Sequence, residues 1–233
     1  MTLFLFILLG LAVAALVVVR TWRWTIPLLF VAELARIGLM RYATALGTGS
    51  TGTVLLLVEL LTALSITAIL LLTALRLTHD EPQSEPLDEF ALMELRRAAR
   101  RAQHQRTQVI GRWTGVVVPI GAIVLAGLGT LLLGRAYPIA RAPLLDAGWI
   151  FTLLCGLLVL VTAGDVLKLG LGMLLVLASA KLLYFGVATQ FNVFHVALIE
   201  LAGLTLAVVV ASLSGLLYGR LQTLEIDTLF ERR

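Results

Sequence analysis

The chain of 233 residues holds one cysteine, three histidines and only 14% charged residues. Each scarcity excludes something. The single Cys155 lies inside an apolar run, so neither a disulfide framework nor a cysteine-based metal site can be built within the chain. Iron–sulfur chemistry would need another subunit. Soluble domains average about 25% charged residues, whereas this chain is 60% hydrophobic with a mean hydropathy of +1.00, which rules out a soluble catalytic domain. Aromatics, at 7%, are sparse for a transmembrane barrel, and the apolar runs are continuous where barrel strands would alternate. The expected fold class is therefore all-α: a polytopic membrane protein.

A span needs roughly 20 apolar residues to cross about 30 Å of hydrocarbon. About seven runs approach that length, at residues 2–19, 24–46, 53–75, 114–134, 146–164, 166–188 and 193–219. The formal net charge of +4 does not point to nucleic acid, because most basic residues flank these runs, where they report topology. The one long polar segment carries Arg76, Arg96, Arg97, Arg100, Arg101, Arg106 and Arg112. Positive loops stay cytoplasmic, so the N-terminus is expected outside and the C-terminus inside the cell's inner membrane. The first run reaches a small-residue stretch, Ala12-Val13-Ala14, that resembles a signal-peptide cleavage site. No positive region precedes it, and a retained first helix is expected. Four regions follow: an N-terminal three-helix unit over 1–75, a cytoplasmic linker over 76–113, an adaptor helix over 114–134, and a C-terminal three-helix unit with its tail over 146–233. Within the linker, residues 79–94 are acidic with Pro82 and Pro86, and 87–106 have helical composition. That helix either lies at the headgroup level or is solvated.

Laying residues 1–75 over 146–219 reveals a repeat. Ala35-Arg36 falls on Ala180-Lys181, Ala43-Thr44 on Ala188-Thr189, and Leu57-Val58-Glu59-Leu60 on Leu198-Ile199-Glu200-Leu201. Apolar matches mean little here. The matched charges carry the case, since each charge inside a span costs about 2.5–3.5 kcal/mol on insertion scales. With one adaptor helix between the units, both begin on the same side and the repeat is parallel.

Five ionisable residues lie deep within the spans, away from their ends: Glu33, Arg36, Glu59, Lys181 and Glu200. Helix rise puts Arg36 and Lys181 about two-thirds of the way along outward helices, and Glu59 and Glu200 about a third of the way along inward ones. The expected ion pairs are Arg36 with Glu59 and Lys181 with Glu200, with Glu33 sharing Arg36 from one turn away. Two readings stay open: a proton relay through these residues, or a static staple holding helices in register. Glu33, the least neutralised, is the first choice for titration. His195, five residues before Glu200, is a minor relay candidate against the plainer role of an interfacial residue. The other two histidines, His79 and His104, lie in the linker, so no bis-histidine haem site exists within the chain. Gly121, Gly127, Gly129, Gly170 and Gly172 are expected to allow close helix packing.

The C-terminal unit resembles the small K-type subunit of complex I. The resemblance rests on an outer N-terminus, on Leu169-Gly170-Leu171-Gly172-Met173-Leu174 ahead of Ala178-Ser179-Ala180, and on a last helix followed by Leu221-Gln222-Thr223-Leu224-Glu225-Ile226-Asp227. With added helices before that unit, the chain looks like the E component of hydrogenase-4-type complexes, a subunit of group 4 membrane-bound hydrogenases. This implies a place in the ion-translocating membrane arm of a respiratory oxidoreductase, beside antiporter-like and metal-centre subunits that carry the cofactors; none is expected in this chain. K-type subunits have glutamates in helices two and three, but the corresponding positions here are Gly172 and, approximately, Thr205. Those roles do not transfer to this unit, whereas Glu33 stands in roughly the family's place in the N-terminal unit. A stand-alone secondary transporter and a structural spacer are the alternatives.

Overall fold

The computed structural model describes residues 1–19, 22–43, 50–79, 114–140, 142–188 and 192–221. Seven α-helices run through them: α1 (Thr2–Val18), α2 (Trp22–Ala43), α3 (Ser50–His79), α4 (Thr114–Ala136), α5 (Pro143–Val161), α6 (Val166–Val187) and α7 (Val193–Leu221). Helix is what hydrocarbon demands, because it satisfies every backbone polar group within the segment. Five of them, α3 to α7, are long and apolar enough to cross a membrane. The chain is thus compatible with a multi-pass membrane protein. α1 has 17 residues, and α2 carries Arg23, Glu33, Arg36 and Arg41, so these two fall short by length and by charge. The expected linker helix and the cytoplasmic tail lie outside the described residues.

Helix ends follow local chemistry. α5 starts at Pro143, three residues before the expected boundary, because proline presets helical φ and gives up an N–H that a first turn leaves unused. Asp165 caps α6 by accepting the Lys168 N–H at 2.6 Å. Within the helices, Thr67, Thr73, Thr130, Thr152 and Ser214 donate to carbonyls one turn back, hiding their hydroxyls from an apolar surround.

α1 packs on α2 and α5, α2 on α3, α3 on α7, and α6 between α5 and α7, with α2 also touching α6. α4 leans mainly on α5. The centre is closed by Val13, Leu16, Leu39, Cys155, Val159 and Leu182, each fully enclosed. Glycines set the closest crossings. A Cβ on Gly170 would stand 2.5 Å from both Val210 methyls, one on Gly172 2.8 Å from Leu160 Cγ, and one on Gly129 2.8 Å from Leu154 Cδ1. Gly121 and Gly127, expected to act likewise, face open space, although Gly129 on the same helix meets α5. Gly156 takes their place, with Val176 N only 3.0 Å from where its Cβ would sit.

Candidate functional site

Charged side chains meet where α2, α3, α6 and α7 come together. On α2, Glu33 and Arg36 are three residues apart and so share a face. Arg36 is 1% exposed, and its guanidinium fork reaches both neighbours: Nε donates to Glu33 Oε2 at 2.7 Å, and Nη2 donates to Glu59 Oε2 on α3 at 2.6 Å. Nη1 lies 3.5 Å from Met40 Sδ. A rigid planar fork suits one cation serving two carboxylates. Lys181 on α6 forms an ion pair with Glu200 Oε1 on α7, and both side chains are buried.

The two pairs are not separate. Thr62, less than a turn beyond Glu59 on α3, places its hydroxyl 2.5 Å from Glu200 Oε2. The Glu59 and Glu200 carboxyls also lie close enough to interact across the α3–α7 contact. Arg36 lies within electrostatic reach of Glu200, and Lys181 within reach of Glu59. Glu59 Oε1 and Glu200 Oε1 are both buried without a hydrogen-bond donor among the described residues, but Glu200 Oε1 has Lys181 as its ion-pair partner. A small pocket of about 10 Å³, lined by Glu33 and Lys181 with Leu29, Ile66 and Leu174, opens beside the cluster. Roughly one water fits that space. Glu33, with 13% of its side chain exposed, is the most open of the five.

All five residues singled out in the sequence therefore stand in one cluster. His195 does not. Five residues put it about 140° around α7 from Glu200, where it is exposed and packs edge-on against Tyr184, with ring centroids 6.4 Å apart. A further buried charge, not among those five, is Asp146 in the first turn of α5. Its carboxylate accepts the N–H groups of Ile139 and Ala140 and the Trp149 indole N–H at 2.8–3.1 Å, pinning the turn that enters α5. An acid just after a helix-starting proline was the signal available, since the helix dipole favours it there.

Among the described residues no group of three metal-ligating side chains occurs. Comparison with protein-family models, curated proteins and solved structures finds no match.

Proposed function

We propose that this chain is an integral membrane subunit of a complex I- or group 4 hydrogenase-related respiratory complex, contributing a buried charge axis to its ion-translocating arm. The cluster of Glu33, Arg36, Glu59, Lys181 and Glu200 is the observation that carries the reading. Charges inside a bilayer are expensive and mark ion or proton routes when they converge. A staple needs one pair. Here two cations and three carboxylates are gathered across four helices, which is more than register requires.

The parallel repeat supports the same reading. α1 meets α5, α2 meets α6 and α3 meets α7, so each helix of the first unit touches its counterpart in the second. Each unit bridges its second and third helices with one ion pair, from the fifteenth residue of α2 and the sixteenth of α6. On this view seven helices span the inner membrane, with the N-terminus outside and the arginine-rich 76–113 segment and C-terminus inside. Outward apolar side chains along α4, such as Val124, Leu125, Leu131 and Leu132, suit lipid or a neighbouring membrane subunit.

Purification of the tagged full chain from native membranes in mild detergent tests the assignment. Co-elution with antiporter-like and metal-centre subunits is the expected result. A chain that elutes alone and moves ions by itself in liposomes overturns it in favour of a secondary transporter.

A further inference from the structure

The cluster does not balance. Glu33, Glu59 and Glu200 bring three negative charges, and Arg36 and Lys181 bring two positive ones. An uncompensated charge in such a site is costly, and a site of this kind neutralises itself by taking up a proton. Two carboxyls in contact tend to hold one proton between them. One uncharged carboxyl makes the cluster neutral.

Geometry says where the proton belongs. Glu33 has two Arg36 nitrogens within 2.7 Å of its Oε2. Glu59 and Glu200 interact across the α3–α7 contact, and both Oε1 atoms are buried without a hydrogen-bond donor among the described residues; Glu200 Oε1 has the Lys181 ion pair, whereas Glu59 Oε1 still needs a donor. A proton between the two carboxyls supplies that donor. Thr62 then acts as a reporter. Its hydroxyl has one hydrogen, yet three acceptors lie in reach: Val58 O and Glu59 O, each at 3.0 Å, and Glu200 Oε2. The hydroxyl serves Glu200 when that carboxyl is ionised. When Glu200 carries the proton, the hydroxyl turns to its own helix and accepts instead.

We propose that Glu59, Glu200 and Thr62 form a single-proton site that joins α3 to α7, loaded by a hydronium ion of the adjoining water: one of its O–H bonds breaks, a neutral water is left, and one O–H bond forms at the carboxyl pair. The groups that set its charge are Glu33 and Arg36 from α2 and Lys181 from α6, and the pocket between Glu33 and Lys181 gives the cluster its water contact. The site deepens the charge-axis reading and rests on it, but it needs no neighbouring subunit.

Infrared spectroscopy of the full chain in lipid nanodiscs, in light and heavy water at neutral pH, tests it. The wild type should show a carboxylic-acid carbonyl band that shifts on deuteration. Glu59→Gln and Glu200→Gln should each abolish the band, because two carboxylates then match two cations, and Glu33→Gln should do so for the same reason. Thr62→Ala leaves all five charges in place and guards against misfolding: its band should persist at a shifted frequency. A wild type without the band, or a Thr62→Ala band that does not move, overturns the proposal. Loss of the wild-type band on adding sodium at fixed pH also overturns it, in favour of a sodium site. A chain that purifies alone yet shows the band would defeat the respiratory-arm reading and leave this one standing.

Discussion

The two halves of the charge cluster solve one problem differently. On the α2–α3 side, Arg36 holds two carboxylates with three of its donors spread over Glu33, Glu59 and the Met40 sulfur. On the α6–α7 side, Lys181 holds Glu200 alone, and a neutral hydroxyl from the other half, Thr62, completes the shell. The first half is overdrawn in negative charge and self-contained. The second is balanced but depends on its neighbour. A cluster divided this way cannot be two independent staples, because the surplus on one side and the borrowed donor on the other meet at Glu59 and Glu200.

The largest expected effect follows from that asymmetry. Arg36→Ala strands two buried carboxylates and should cost at least the roughly 3–5 kcal/mol typical of breaking a buried pair, read as lost thermal stability in detergent. Lys181→Ala strands one and should cost less. Adding Glu200→Ala to Lys181→Ala should restore part of the loss, since Glu200 is then no longer left without its partner. Equal losses for Arg36→Ala and Lys181→Ala would erase the distinction between the halves.

These pairs were legible in the sequence because charges inside apolar runs are few, and helix rise alone brings Arg36 level with Glu59 and Lys181 level with Glu200. The junction between the halves was not. It depends on α3 packing against α7, a contact between segments 138 residues apart at Thr62 and Glu200, and threonine in a span reads as a residue bonded to its own helix. Asp146 escaped because it sits at a span boundary, where an acid ordinarily meets water, whereas here a turn of backbone N–H groups encloses it. The glycines divide by what each meets: Gly170 and Gly172 on α6 and Gly129 on α4 touch neighbours, whereas Gly121 and Gly127, also on α4, face open space.

A buried acid satisfied by neutral donors sharpens the comparison further. Asp146→Asn keeps the shape but sets an NH₂ group against N–H donors, and should cost about 1.5–3 kcal/mol, measured by thermal unfolding and confined to the N-terminal end of α5 in hydrogen exchange. Glu33→Gln should assemble normally and change stability little, since it removes the surplus charge while keeping an acceptor for Arg36. Within a pumping complex it should nonetheless lower the protons moved per electron; an unchanged ratio at wild-type abundance would make Glu33 structural. Thr62→Ala, which deletes one hydrogen bond between the halves, should cost only about 1 kcal/mol.

The most direct test of a single joined cluster is a double-mutant cycle on stability with Glu59→Gln and Glu200→Gln. Each single change removes the surplus negative charge and should cost little, whereas the double change leaves Arg36 and Lys181 facing Glu33 alone. The account predicts a double variant less stable than the sum of the singles by about 0.5–3 kcal/mol, the range for residues in contact. Losses that add within about 0.3–0.5 kcal/mol, as distant sites do, would contradict it and return the molecule to two separate ion pairs.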